Sequence, residues 1–134
     1  MQERLSETTH RGRPELLCVD DDPDTLKLRR LLLESSGYSV TTSSSGQDAL
    51  RILSDGINVD LVLLDYLMPG MNGDELAATL RQQYPKLPLI AVSAVGQLPQ
   101  SLLNAVNAHF QKGQDPELLL STISSVLARP KEWG

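Results

Sequence analysis

Apolar residues along this chain come in two alternating rhythms. Short continuous runs, "ELLCV" at 15–19, "DLVLLD" at 60–65 and "PLIAVS" at 88–93, suit strands buried on both faces. "YSVTT" at 38–42 and "HFQ" at 109–111 read as shorter strands. Between the runs, apolar positions spread out to helical spacing. Asp22-Pro23 supplies an N-cap carboxylate and a first-turn proline, and Gly37 marks the stop of that helix. Leu28, Leu31 and Leu32 are read as its apolar stripe. Ser45 caps a second helix carrying Ala49, Leu50 and Leu53, which Gly56 ends. "YLMPGMNG" is a loop broken by Pro69, Gly70 and Gly73, and "DELAATLRQQY" is helical as far as Pro85. "PQSLLNAVNA" makes a brief fourth helix, and Asp115-Pro116 opens a last one running to about Ala128.

The pattern is strand then helix, five times over. Without hairpin signals this means an α/β fold, a five-stranded parallel sheet doubly wound with helices on both faces. In such sheets ligands collect beyond the carboxyl ends of the strands. A length of 134 residues allows one domain, expected at 15–128, with a flexible extension at 1–14 and a tail at 129–134. Aromatics are only 4% of the chain, so aliphatic residues must build the core. A net charge of −5 without a basic cluster argues against direct nucleic-acid binding. Cys18, the single cysteine, sits in an apolar run and reads as a buried strand thiol. No stretch has the roughly 20 apolar residues of a membrane span. The first residues lack the apolar core of a signal peptide, so a cytoplasmic location is expected.

The strand ends carry the chemistry. The first strand ends in Asp20 and Asp21, the third in Asp65, the fourth in Ser93, and the fifth in Gln111 and Lys112. The topology brings these positions to one sheet edge. Three crowded carboxylates raise one another's pKa values unless a cation neutralises them. An all-oxygen ligand set favours a hard ion such as Mg²⁺. A lysine and a hydroxyl beside the ion supply what the remaining oxygens of a phosphoryl group require. A carboxylate can itself accept that group as an aspartyl phosphate.

With "VDDD" after the first strand, "LLDYLMPGMNG" around the third, "AVSA" at the fourth and Lys112 at the fifth, the chain resembles the receiver domain of two-component response regulators. The resemblance covers about residues 15–128 and implies the flavodoxin-like strand order 2-1-3-4-5. It implies that Asp65 accepts a phosphoryl group from a histidine kinase or phosphotransfer protein. Asp21 would bind Mg²⁺ directly, Asp20 mainly through water, and the backbone carbonyl of Leu67 would complete the protein ligands. Lys112 would pair with the phosphoryl group and Ser93 would hydrogen-bond it, with small Ala94 leaving room. The expected role is a signalling module rather than an enzyme, with slow autodephosphorylation and an output protein or fused domain still to be named.

The chain also departs from that family. His109 stands where Tyr or Phe is usual, and Gly113 stands where a cis-proline usually follows the lysine. The stretch between Ser93 and Lys112 is about three residues shorter than is common. These changes bear on the output face, and phosphorylation is expected to shift residues 94–114 as a segment. Two other functions fit less well. A haloacid-dehalogenase-like phosphohydrolase needs Asp-x-Asp-x-Thr/Val, which neither Asp20 nor Asp22 begins. A degenerate receiver, binding partners without phosphorylation, conflicts with the intact acidic set. Simpler roles remain for several residues: a helix cap for Asp22, loop packing for Met68 and Met71, and none for His10.

Overall fold

The structure is a computed structural model that describes residues 12–94 and 96–129. Most of the expected N-terminal extension, His10 included, and nearly all of the C-terminal tail lie outside the described residues. The elements alternate as the pattern implies: β1 (Glu15–Val19), α1 (Pro23–Ser35), β2 (Ser39–Ser43), α2 (Gly46–Ser54), β3 (Leu61–Asp65), α3 (Gly73–Gln83), β4 (Leu89–Ser93), α4 (Gln100–Ala105), β5 (Ala108–Gln111) and α5 (Pro116–Leu127). The five strands form one sheet in the order β2-β1-β3-β4-β5. All four pairings are parallel. This is the expected doubly wound, flavodoxin-like sheet.

Period-two alternation sorts each strand between two cores. Leu17, Val19, Val62, Leu64, Leu89 and Ala91 pack with residues of α2, α3 and α4. Leu16, Cys18, Leu61, Leu63, Ile90, Val92 and Phe110 pack with residues of α1 and α5. Every residue of β1, β3 and β4 is buried, which explains their unbroken apolar runs. The edge strands β2 and β5 are only partly covered. Cys18 is fully buried, and burial pushes its thiol up to about 12. It is packing, as the sequence implied.

The apolar stripe expected on α1 is not the one observed. Leu28 and Leu31 are 69% and 62% exposed. The buried face carries Leu26 and Leu33, with Leu32 partly buried at its margin. Residues 26, 29, 30 and 33 share one side of a helix with 3.6 residues per turn, and 28 and 31 lie opposite. Leucines at 26, 28, 31, 32 and 33 surround the helix, so they cannot by themselves select a face. The signals at the helix start held better. Asp22 caps α1, its carboxylate accepting from the Asp24 amide and the Thr25 hydroxyl. Met68 is buried in the core, and Met71 packs beside it against the backbone of Gly46.

Candidate functional site

The register of the sheet assembles the site. Val19 is opposite Ser43 on one side and Leu64 on the other, so Asp20 and Asp65 fall one step later on neighbouring strands. Asp65 is opposite Val92, and Ser93 is opposite Gln111. The Lys112 amide continues the ladder by donating to the Ser93 carbonyl at 2.8 Å. Four strand ends thus stop at one edge within a residue of each other. Parity then separates the side chains. Asp20, Asp65 and Lys112 follow the alternation of Cys18, Leu63 and Phe110, whose side chains face α1 and α5. Ser93 follows the alternation of Ala91, which faces α3 and α4.

Carboxylate oxygens of Asp20, Asp21 and Asp65 all lie within 4.8 Å of one another, so a single cation can touch all three. Asp20 is fully buried, Asp65 is 5% exposed, and Asp21 is open to solvent. This gives a cation an entry from the Asp21 side. Lys112 Nζ lies 3.0 Å from Asp20 Oδ2 and 3.3 Å from Asp65 Oδ1. Asp20 Oδ1 meanwhile accepts from the Asp22 amide at 2.9 Å. Both Asp20 oxygens are therefore already engaged, whereas Asp21 is free to turn toward an ion.

Electrostatics follow from this crowding. Burial and, after it, the Asp20 charge hold the Asp65 carboxyl above the usual range, with Lys112 opposing them. Partial burial alone would lower the Lys112 ammonium. Its hydrogen bond to Asp20 and the charge of Asp65 outweigh that and hold it above its usual value. All-oxygen donors with these charges suit Mg²⁺, which keeps several waters and takes few protein ligands.

The β3–α3 loop holds the Asp65 edge in place. The Gly73 amide donates to the Tyr66 carbonyl at 2.6 Å, and a Cβ at Gly73 would lie 2.4 Å from the Asp65 carbonyl oxygen. No side chain fits there. Asn72 Oδ1 accepts from the Met68 amide, and the Glu75 carboxylate accepts from the Asn72 amide. Leu67, two residues past Asp65, is 52% exposed, so core packing does not account for it. Ser93 is buried at the end of β4, and Ala94 beside it is exposed. His109 is exposed and lines a groove with Gly96, Leu98 and Leu103. Gly113 has φ +92°, a left-handed backbone that favours glycine.

Sequence reading missed Arg29. Its side chain is 9% exposed, with Nη1 at 3.8 Å from Asp20 Oδ2. The available signal was its place on the Leu26–Leu33 side of α1, where a cation is costly without a partner.

A parallel doubly wound sheet with an acidic cation site and a lysine at its carboxyl edge is the architecture of a phosphoacceptor signalling domain. Residues 16–124 match the family model described as the response regulator receiver domain, and the chain belongs to that family. It is 39% identical over 115 residues to the transcriptional regulatory protein GlrR of Escherichia coli, covering 84% of this chain and 26% of that protein. It is 31% identical over 121 residues to the response regulator SaeR of Staphylococcus aureus, covering 88% of this chain and 52% of SaeR. The chain thus spans about a quarter of the one and half of the other. Among solved structures it resembles the Thermotoga maritima response regulator TrrA in complex with Mg²⁺-BeF, with a TM-score of 0.80, 29% identity and coverage of 84% and 98% of the two chains. A receiver domain protein from Methanospirillum hungatei gives a TM-score of 0.82 at 29% identity, with 91% and 99% covered.

Proposed function

We propose that Asp65 is the phosphoacceptor of this domain and that its phosphorylation requires Mg²⁺. One observation carries the reading: three carboxylates converge within 4.8 Å at the sheet edge, with Lys112 Nζ 3.3 Å from Asp65. An Asp65 oxygen attacks the phosphorus of a phosphohistidine on a kinase or phosphotransfer protein. The new P–O bond forms as the P–N bond breaks, and the imidazole leaves with the electron pair and takes up a proton. Bound Mg²⁺ supplies charge neutralisation between the carboxylates and the incoming phosphoryl oxygens. Asp21 and Asp65 would hold it directly, with the Leu67 carbonyl as a further ligand. Asp20 would act mainly through water, because both its oxygens already accept hydrogen bonds. Lys112 transfers from Asp20 and Asp65 to the phosphoryl group, and the Ser93 hydroxyl hydrogen-bonds it.

The domain is a self-phosphorylating signalling module with slow autodephosphorylation rather than an enzyme acting on a separate substrate. Its output passes to a protein partner or a fused domain, without nucleic-acid contact of its own, in the cytoplasm. Among the described residues no helix is long and apolar enough to cross a membrane. The resemblance to TrrA, whose structure holds Mg²⁺ and a beryllofluoride group, supports the chemistry. Incubation with acetyl phosphate and Mg²⁺ is expected to add one phosphoryl mass. That addition should vanish with EDTA and in Asp65→Asn. Undiminished labelling of Asp65→Asn would overturn the assignment.

A further inference from the structure

Among the described residues, Arg29 is a cation beside the acid cluster that the proposed chemistry does not use, and its side chain is only 9% exposed. It projects from the face of α1 that packs on the sheet, between the buried Leu26 and Leu33. Its neighbour Arg30 is accounted for, donating to the Val40 carbonyl at 3.2 Å and to Glu34 at 3.3 Å. Arg29 is not. Its Nη1 is buried without a hydrogen-bond partner among the described residues, and the Asp20 carboxylate at 3.8 Å is its recorded ion pair. A guanidinium stays charged in proteins, so its burial here is costly unless the acid cluster answers it.

Charge bookkeeping gives it a role. Asp20, Asp21 and Asp65 set against Lys112 alone leave a doubly negative cluster, which a divalent ion neutralises before any phosphoryl group arrives. With Arg29 included the cluster is singly negative. A divalent ion by itself then leaves it positive. The ion together with a doubly charged aspartyl phosphate brings it to neutrality. Charges at a fully buried carboxylate are poorly screened by salt, so this difference is felt at the metal.

We infer that Arg29 is a positioning residue that sets the charge balance of the site, weakening Mg²⁺ binding in the unphosphorylated domain and strengthening the hold on the phosphoryl group once Mg²⁺ is present. The inference rests on the functional reading above.

The test compares wild type with Arg29→Met, Arg29→Gln and Arg29→Lys, each checked for folding by thermal unfolding. Mg²⁺ binding is followed by amide NMR without any phosphoryl mimic, and beryllofluoride binding is then followed at saturating Mg²⁺. In the two neutral variants Mg²⁺ is expected to bind about tenfold more tightly and beryllofluoride several-fold more weakly. Arg29→Lys should lie near wild type in both. A purely structural role would loosen the site and weaken both ligands together. That result, or unchanged affinities in a folded neutral variant, overturns the inference while leaving the function intact. Failure of wild type to bind Mg²⁺ saturably would instead defeat the functional reading itself.

Discussion

Along the sheet's carboxyl edge, the central β1–β3 part is built differently from the β4–β5 part. In the β1–β3 part, all five residues of each strand are buried, Asp20 and Asp65 are covered, and a side chain at Gly73 would strike the Asp65 backbone. At the β4–β5 end, α4 has six residues with only Leu102 buried, and Pro99 caps it without a side-chain hydrogen bond. β5 has four residues, of which only Phe110 is buried. The carboxylates proposed to meet a metal and a phosphorus atom are held by packed strands, where small displacements are expensive. Groups that would report the event sit where few contacts resist movement. The contrast is not uniform, however. Arg81 of α3 donates to the carbonyls of Pro85, Leu87 and Ala105 and to Asn107 Oδ1. It pins the far end of α4 and the start of β5.

The largest expected effect breaks the rigid end. In Gly73→Ala the added Cβ would lie 2.4 Å from the Asp65 carbonyl oxygen and 2.8 Å from Tyr66 Cα, both backbone atoms that cannot turn aside. Overpacking of this kind costs about 3 kcal/mol. Urea unfolding should show that loss, and acetyl phosphate labelling should fall as the acceptor edge shifts. A variant as stable as wild type would mean that the loop gives way without disturbing Asp65.

Next comes the anchor of the less buried end. Arg81→Ala removes every hydrogen bond described above and leaves carbonyls of the 85–87 and 105–107 turns without that donor. A loss of about 2 kcal/mol is expected. Hydrogen exchange should rise over 100–107, while Mg²⁺ affinity stays as in wild type. Altered Mg²⁺ binding would show that the two ends are less separate than their contacts indicate.

A smaller effect, of opposite sign, is expected at the acceptor. Burial and the Asp20 charge raise the Asp65 carboxyl, so the folded state binds its proton more tightly than the unfolded chain does. This group therefore costs stability above its folded value, and the cost is relieved as pH falls through that value toward the ordinary aspartate range near ~3.9. Asp65→Asn should be more stable than wild type at pH 7 without Mg²⁺, by about 1 kcal/mol, with the advantage shrinking at low pH. Saturating Mg²⁺ should also shrink it. Equal melting temperatures across this range would show that Lys112 already cancels the repulsion.

These contrasts explain what could be read in advance. Strand runs and helix caps were plain because buried parallel strands are apolar throughout and caps use few residue types. Asp20, Asp21, Asp65, Ser93 and Lys112 were placed at one edge because the fold class alone sends strand ends there. What escaped was orientation around helices. Leu28 and Leu31 looked like core and are exposed, whereas Arg29 and Arg81, which no sequence signal singled out, are held against acid or backbone. A long cationic side chain carries both an apolar stem and a polar head, so periodicity cannot say which environment it meets.

The smallest effect tests how finely the rigid end is divided. Asp20, Asp21 and Asp22 are consecutive and alike, yet only the first two contribute oxygens to the cation cluster. Asp22 instead accepts from the Thr25 hydroxyl at 2.7 Å and from the Asp24 amide at 3.2 Å. Those bonds, the hydroxyl first, hold its carboxyl below the usual range. Its contribution is therefore present above the ordinary aspartate pKa and is lost as pH falls through the depressed folded value. Asp22→Ala should lower the melting temperature slightly at pH 7 and by less near pH 3, with Mg²⁺ affinity unchanged. Asp21→Ala should do the reverse, leaving the melting temperature of the metal-free protein nearly intact and weakening Mg²⁺ binding at least tenfold, since a direct ligand charge is removed. An equal loss of Mg²⁺ binding in both variants would mean that the cap carboxylate turns toward the ion. The division of labour within the triplet would then be wrong, even though the site as a whole stood.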